Sequence, residues 1–156
     1  MTKAVLAFGS NLGDREATIV EALLRVADVA GVELLVASSM HETAALKPHG
    51  VDRHAPAYLN AVAIIDTSLT PEELLGAVGA IELDLGRVRA ERWADRTLDI
   101  DLIDFAGETR STETLTLPHP RAAERTFVLA PWLEIDPDAE LNGTRVGEIL
   151  ATLEKS

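Results

Sequence analysis

The sequence predicts an α+β fold, because three observations fix the order of its elements. Two segments have apolar residues at helical spacing, and the β-rich stretch between them, residues 32–66, has no helix inside it. One short apolar run precedes the first helix and another follows the second. The order β-α-β-β-α-β fits a ferredoxin-like sandwich with a C-terminal helical addition. A length of 156 residues fits a single domain, 1–156, and a doubly wound α/β fold is disfavoured.

The first half of the chain alternates apolar runs with turn residues. Ile19, Leu23 and Val26 have helical spacing, and Asn11 or Asp14 is expected to cap that helix. Two prolines and a glycine interrupt the segment before the long central strand, which predicts a loop. The predicted elements are a strand at 3–8, a helix at 14–30, a β-rich stretch at 32–44, a loop at 45–56 and a strand at 58–66.

The second half opens with a strong helix start at residues 68–73. A hydroxyl cap, a proline in the first turn and two acids all favour a helix N-terminus. That helix is expected to end near Gly86. The remaining predicted elements are a strand at 97–105, a turn at 118–120 and helices at 126–134 and 145–153.

Composition and charge exclude several classes of protein. Without cysteine the chain has no disulfide and no thiolate metal site. Its apolar runs fall short of the roughly 18–20 residues that span a bilayer, and the N-terminal run is too short for a signal peptide. A cytoplasmic protein is therefore expected. The net charge of −12 disfavours nonspecific binding to nucleic acid or anionic membranes.

The strand at 97–105 carries the most informative pair of side chains. Alternate residues of a strand share a face, so Asp99 and Asp101 point the same way, about 6–7 Å apart along the chain. Two carboxylates on one rigid strand suit Mg²⁺, which commonly uses one or two carboxylates plus substrate phosphates. The alternative is an amphipathic edge strand with a solvated acidic face.

Arginine is concentrated near this pair. Eleven residues are Arg and three are Lys, and the planar guanidinium suits phosphate recognition. Arginine together with Mg²⁺ is a recurrent arrangement in phosphoryl transfer, although solvated surface charge is the simpler alternative. The six arginines of this region are Arg87, Arg89, Arg92, Arg96, Arg121 and Arg125.

Residues 9–14, Gly-Ser-Asn-Leu-Gly-Asp, lie between a strand and a helix, where a phosphate loop would lie. The segment lacks the Gly-Lys-Ser/Thr ending and the Gly-x-Gly-x-x-Gly pattern, so a tight turn is the alternative. A bound nucleotide is therefore expected to be held by arginines and metal.

Three other residues suggest recognition of a flat, polar ring, and a fourth suggests contact with a phosphate. Trp93 and Phe127 could stack on the two faces of a heterocycle. Asn60 is unusual in a strand and could present its amide to the edge of the ring. His119, between two prolines, could donate to a phosphate. Ordinary core packing or surface placement is the alternative for each.

Together these segments resemble the 6-hydroxymethyl-7,8-dihydropterin pyrophosphokinase family. The block Arg96-Thr97-Leu98-Asp99-Ile100-Asp101 matches that family's signature. Other matching segments are residues 7–13 (AFGSNLG), 58–61 (YLNA), 70–75 (TPEELL), 91–93 (ERW), 117–121 (LPHPR) and 124–129 (ERTFVL). The resemblance implies transfer of pyrophosphate from ATP to the pterin hydroxymethyl group in tetrahydrofolate biosynthesis, with release of AMP and with two Mg²⁺ ions.

The resemblance also assigns expected roles to residues of this chain. The catalytic positions are Arg87, Arg96, Asp99 and Asp101, and both aspartates are the metal ligands. The nucleotide-binding positions are Glu82, Arg87, Arg96, Leu102, Thr116, His119 and Arg125, with Leu102 and Thr116 acting through their backbone. The pterin-binding positions are Thr43, Leu46, Tyr58, Asn60, Trp93 and Phe127. A monomer is expected, whose partners are its two small-molecule substrates.

The departures of the chain from the family pattern include two changes of residue type near the expected site. Asp95 stands where a small residue or proline normally precedes the signature arginine, and Ala44-Ala45 replaces a proline-containing stretch. Two other functions are compatible with parts of the sequence. A non-catalytic ligand-binding module would not need the carboxylate pair, and a two-metal nuclease-type hydrolase would use it. The net charge disfavours a nucleic-acid substrate for the hydrolase.

Overall fold

The computed structural model describes residues 1–11, 14–43, 45–47, 50–52, 58–90 and 98–155, and their side chains apart from residues 43, 45–47, 50–52 and 86–90. The elements in chain order are β1 (Thr2–Ser10), α1 (Arg15–Ala27), β2 (Val32–Ala37), β3 (His41–Thr43), β4 (Ala45–Lys47), β5 (Gly50–Asp52), β6 (Tyr58–Thr67), α2 (Pro71–Ala90), β7 (Leu98–Phe105), β8 (Arg110–Ser111), β9 (Thr116–Leu117), a 3-10 helix (Ala122–Glu124), α3 (Thr126–Ile135), β10 (Glu140–Leu141), β11 (Thr144–Arg145) and α4 (Val146–Glu154).

The central sheet has five strands in the order β2-β6-β1-β7, and β3 also pairs with β6. Every pairing in this sheet is antiparallel. Strand β1 lies between β6 and β7, so the first and last strands of the βαββαβ unit are neighbours. This arrangement confirms the predicted ferredoxin-like α+β fold.

Helices cover both faces of the sheet, and each face has its own core. On one face α1 and α2 pack against alternate residues of β1, β6 and β7, among them Leu6, Ile65 and Ile100. On the other face α3 and α4 pack against the intervening residues, such as Val62 and Ile103. The second helical layer is the C-terminal addition that the sequence predicts. It covers the same sheet face that carries the expected site.

Local sequence signals explain where the first two long helices begin. Asp14 caps α1, because its Oδ1 accepts the backbone N–H of Ala17 at 3.0 Å. Thr70 and Glu73 form a reciprocal capping box at the start of α2, in which each side chain accepts the other residue's backbone N–H (3.1 and 2.9 Å). Both starts agree with the sequence prediction.

Three predicted boundaries are wrong. The β-rich stretch at 32–44 is interrupted at residues 38–40, because the Ser38 hydroxyl accepts the N–H of Val62 and the Ser39 N–H donates to Glu134 instead of to β6. The segment predicted as a loop at 45–56 contains the paired strands β4 and β5. Helix α2 continues past Gly86 to Ala90, since one glycine costs a helix only about 1 kcal/mol and the residues after it include good helix formers.

Among the described residues, no helix has the length and apolarity required to cross a membrane.

Candidate active site

The carboxylate pair lies on the sheet face that α3 and α4 cover, at one end of β7. Leu98, Ile100 and Leu102 are buried in the core beneath α1 and α2. Asp99 and Asp101 therefore share the opposite face, where Asp99 is exposed and Asp101 is half-buried. The alternation predicted from the Asp-x-Asp pattern is confirmed. Although the residue is exposed, partial desolvation of its carboxyl group inside the site and repulsion from Asp101 raise the pKa of Asp99, and Arg125 opposes this shift.

Strand pairing sets Asn60 in line with Asp99 across the sheet, in a row of three residues on neighbouring strands. Gly9 of β1 is directly opposite Asn60 of β6 on one side and Asp99 of β7 on the other. With strands about 4.8 Å apart, the Cα atoms of Asn60 and Asp99 are about 10 Å apart. A Cβ at Gly9 would lie 3.4 Å from Asn60 Oδ1 and 3.6 Å from Tyr58 Cδ1. Glycine at this position keeps the space between the amide and the carboxylate clear.

Arg125 links the carboxylates to an aromatic side chain. Its Nη1 lies 3.5 Å from Asp101 Oδ2, and its Cζ lies 5.6 Å from the centre of the Phe127 ring. The Arg125 side chain is 25% exposed, so its charge is partly shielded from water. Since Arg125 precedes α3 and Phe127 is in its first turn, the start of this helix carries both groups to the site.

His119 is fixed beside β7 by its backbone. Its N–H donates to the carbonyl of Ile103 at 2.8 Å, and its Nδ1 accepts the N–H of Arg121 at 3.2 Å. With Nδ1 as an acceptor, the neutral ring carries its proton on Nε2, where it is available as a donor. Burial lowers the pKa of His119, Asp101 opposes the shift, and Arg125 and Arg121 reinforce it.

Glu82 of α2 faces the outer edge of β7. Burial raises its pKa to about 7; the charges of Asp99 and Asp101 add to the shift, and a hydrogen bond from the backbone of Ile100 opposes it. The local field of this site is therefore strongly negative. A negative field of this kind favours a cation between the carboxylates and the phosphates of a substrate.

The raised pKa predicts how Glu82 affects stability in the absence of ligands. Between its usual pKa near 4.5 and about 7, Glu82 holds a proton in the folded protein that it loses in the unfolded chain. Its contribution to stability is complete below pH 4.5 and is lost as the pH rises through 7. We expect Glu82→Gln to match the wild type at pH 5 and to unfold at higher urea than the wild type at pH 8. Glu113→Gln, at an exposed position, is the control, and equal midpoints at pH 8 would contradict the prediction.

The donor set of the carboxylate pair fits Mg²⁺. Both side chains offer only oxygen, and desolvation together with repulsion from Asp101 raises the pKa of Asp99. Within the described part of the chain, no group of three or more His, Asp or Glu side chains is arranged to hold a metal ion. A pair of carboxylates suits an ion whose other ligands are water and phosphate oxygens.

The remaining predicted positions divide into two groups. Thr43 pairs with Tyr58 in the register of β3 and β6, which brings its backbone next to a residue that the resemblance assigns to pterin binding. The Leu102 side chain is buried in the core, so only its backbone can face a ligand, and β9, which carries the exposed Thr116, packs against β7. Trp93 and Arg96 lie outside the described residues, as does Asp95. The side chains of Leu46 and Arg87 also lie outside this description.

The structure identifies residues that sequence reasoning missed. For Gly9 the sequence indicates only a place in a possible phosphate loop, whereas in the sheet it lies between Asn60 and Asp99. Ser39, His41 and Glu134 form a hydrogen-bonded cluster next to Asn60. No sequence signal indicates this cluster, because Glu134 looks like an ordinary acid on a helix surface.

A ferredoxin-like sheet that presents a carboxylate pair, an arginine and a buried amide on one face suits an enzyme that transfers phosphate groups. A family model described as 7,8-dihydro-6-hydroxymethylpterin-pyrophosphokinase (HPPK) matches residues 5–137. The chain belongs to this family.

Individual relatives agree with this assignment. The chain is 42% identical over 156 residues to a 2-amino-4-hydroxy-6-hydroxymethyldihydropteridine pyrophosphokinase of Methylorubrum extorquens, an alignment that covers 100% of this chain and 96% of the relative. It is 43% identical over 141 residues to the protein of the same name from Bacillus subtilis, covering 90% of this chain and 82% of the relative.

A solved structure confirms the fold. The chain superposes on a crystal structure of an HPPK-DHPS in complex with substrates with a TM-score of 0.73, at 12% sequence identity. The superposition covers 97% of this chain and 45% of the solved chain, so this protein spans less than half of that longer one.

Proposed function

We infer that this protein is a pyrophosphokinase that transfers pyrophosphate from ATP to the hydroxymethyl group of 6-hydroxymethyl-7,8-dihydropterin in tetrahydrofolate biosynthesis. The observation that carries the residue-level proposal is the row Asn60–Gly9–Asp99, with Asp101 and Arg125 beside it. We propose that the Asn60 amide reads the ring and that the Asp99 carboxylate binds metal, on one sheet face and about 10 Å apart.

Asp99 and Asp101 would hold divalent magnesium, and we propose two ions. When bound, the metal supplies neutralisation of the triphosphate charge and Lewis-acid polarisation of phosphate oxygens. The carboxylates stand on a strand that is anchored in the core, because the alternate residues Leu98, Ile100 and Leu102 are buried. They are therefore positioned before the nucleotide arrives, which reduces reorganisation during the reaction.

The phosphates would be held by cationic and donor groups around the pair. Arg125 offers a planar guanidinium, and His119 offers its Nε2–H. Arg87 and Arg96 are proposed to complete this set from the segment that follows α2. Glu82 and the backbone of Leu102 and Thr116 are proposed to contact the nucleotide at the outer edge of β7.

The pterin would lie over Gly9. Asn60 would bind the polar edge of the ring, while Phe127 and Trp93 would stack on its two faces. Tyr58 and the backbone of Thr43 and Leu46 are proposed to line the rest of the pocket. This arrangement directs the hydroxymethyl group toward the carboxylate pair.

In the reaction, the hydroxyl oxygen of the pterin attacks the β-phosphorus of ATP. The bond between the β-phosphorus and the oxygen bridging to the α-phosphate breaks, AMP leaves with that oxygen, and the hydroxyl proton is released. Among the described residues, none is positioned as an evident general base. Orientation of the two substrates and neutralisation of the phosphate charge therefore supply most of the rate acceleration.

An assay of AMP release tests the proposed function. Purified protein with ATP and Mg²⁺ is expected to release AMP only when 6-hydroxymethyl-7,8-dihydropterin is present, with one pterin pyrophosphate formed per AMP. Release of ADP instead would indicate transfer of a single phosphoryl group. Hydrolysis of ATP at the same rate without pterin would favour a hydrolase and contradict the proposal.

Trp93→Ala is expected to weaken pterin binding by roughly tenfold or more, because it removes one of the two proposed stacking surfaces. Binding of a nonhydrolysable ATP analogue should change much less. Isothermal titration calorimetry with each ligand provides the comparison. An equal loss for the two ligands would show that Trp93 acts on the whole site rather than on the pterin.

We also propose that the enzyme acts as a monomer in the cytoplasm. The lack of cysteine suits a reducing compartment, and a net charge of −12 opposes self-association. Sedimentation velocity tests the monomer directly.

A further inference from the structure

One carboxylate of α3 holds residues 38–40, the irregular segment between β2 and β3. The backbone N–H of Ser39 donates to Glu134 Oε2 at 2.7 Å, and the Ser39 hydroxyl donates to Glu134 Oε1 at 2.7 Å. The Nε2–H of His41 donates to the same Oε1 at 2.7 Å. These hydrogen bonds join residues 93 and 95 positions apart in the sequence, so they tie α3 to the start of β3.

The carboxylate remains charged across the working pH range. The backbone N–H of Ser39, followed by the His41 ring and the Ser39 hydroxyl, lowers the pKa of Glu134 to about 2. Hydrogen bonds to an ionised acceptor are stronger than those between neutral groups. The hydrogen bonds between α3 and the 38–41 segment are thus charge-assisted, which makes them strong for interactions at the protein surface.

His41 connects this link to the proposed pterin subsite. Its ring is held by Glu134, and its backbone carbonyl accepts a hydrogen bond from Asn60 Nδ2 at 3.3 Å. His41 and Asn60 are also directly paired in the register of β3 and β6. A displacement of His41 would therefore change the position or rotation of the Asn60 amide.

The other end of the link leads to Phe127. Residues seven apart in an α-helix are about two turns apart and lie on the same face. Glu134 and Phe127 have this spacing in α3. The helix face that carries the aromatic ring at its start therefore carries the Glu134 carboxylate near its end. Glu134 therefore links α3, which carries the Phe127 ring, to β3, which orients the Asn60 amide.

We propose that Glu134 is a positioning residue for the pterin subsite, which fixes Asn60 relative to Phe127 through Ser39 and His41. The proposal rests on the function inferred above. Glu134 contacts neither substrate. It affects the binding of the pterin rather than of ATP, since its hydrogen bonds do not include Arg125, Asp99 or Asp101.

Steady-state kinetics of AMP release, varying each substrate in turn, tests the proposal. For Glu134→Ala we expect KM for the pterin to rise between about tenfold and 10²-fold, since displacements of about 1 Å can have effects of this size. KM for ATP should stay within about twofold, because the buried residues Val128, Leu129 and Trp132 anchor α3, so that the 38–41 segment moves while Arg125 and the carboxylate pair stay in place. Glu134→Gln keeps an acceptor oxygen and should give an intermediate rise. Asp138→Asn, which removes only an exposed ion pair with Arg145, is the matched control and should behave like the wild type.

A double-mutant cycle separates positioning from a general loss of structure. Ser39→Ala should also raise KM for the pterin, and the Ser39→Ala/Glu134→Ala double variant should be no worse than Glu134→Ala. The side-chain amide signal of Asn60, assigned in the NMR spectrum with Asn60→Ala, should shift in Glu134→Ala and not in Asp138→Asn. If Glu134→Ala does not fold, Glu134→Gln and Ser39→Ala carry the test through the same KM comparison.

The outcomes distinguish this proposal from the function on which it rests. A wild-type protein without pterin-dependent AMP release would overturn the function itself. An active wild type whose folded Glu134 variants keep the wild-type KM for the pterin, or raise both KM values equally, would overturn the role of Glu134 alone.

Discussion

Asp101→Asn should lower the rate of pyrophosphate transfer by at least about 10³-fold, because it removes half of the charge that holds the metal against the triphosphate. The same substitution should leave the free energy of unfolding unchanged or slightly higher. Repulsion from Asp101 contributes to the raised pKa of Asp99, so removing this charge favours the folded state. Loss of the partly exposed ion pair between Asp101 and Arg125 costs no more than about 1 kcal/mol in the opposite direction. Single-turnover measurement of AMP formation and urea unfolding of the apoprotein provide the two readouts.

Asp104→Asn is the control for this experiment. Asp104 is on the same strand and its pKa is also raised by burial, but its partners are backbone groups at the far end of β7. Its replacement should change the rate by less than about threefold. A folded Asp101→Asn protein with wild-type turnover would remove the carboxylate pair from the mechanism, whereas a rate loss matched by unfolding would make Asp101 a structural residue.

Arg125→Ala should lower kcat/KM for ATP by about 10²-fold to 10³-fold, through the loss of a partly shielded cation beside the phosphates. The side chain lies between Asp101 and the Phe127 ring, so it can neutralise phosphate charge at the place where the two substrates meet. Arg125→Lys should recover only part of the loss, because an ammonium group has the charge but not the planar pair of donors.

Arg121→Ala provides the matched comparison. Arg121 is four residues earlier, its side chain is 69% exposed, and its ion pair with Glu124 has a separation of 3.7 Å. Such a pair contributes little, so kcat/KM should stay within about twofold of the wild type. Similar losses for both arginines would mean that general positive charge, rather than the position of Arg125, attracts the nucleotide.

The part of the site that follows from local periodicity could be predicted from the sequence. The pattern of β7 predicts that Asp99 and Asp101 share a face, and the burial of Ile100 confirms it. The starts of α1 and α2 were also predictable, since a capping side chain and its backbone partner are only three residues apart.

The features that depend on distant partners could not be predicted in this way. The row that contains Asn60, Gly9 and Asp99 requires the register of β1 with two other strands, which no local pattern specifies. At the break between β2 and β3, the partner of the Ser39 N–H is Glu134, 95 residues later. The roles of Trp93 and Arg96, which lie outside the described residues, stay predictions.

The central claim is that Asp99 and Asp101 hold divalent ions against the nucleotide. Crystals grown with Mn²⁺ in place of Mg²⁺, a nonhydrolysable ATP analogue and the pterin would locate the ions by anomalous scattering. We expect two peaks, both bonded to oxygens of these carboxylates and to the phosphates of the nucleotide. Density for the nucleotide with no peak at these side chains, or with the carboxylates turned away from it, would contradict the claim.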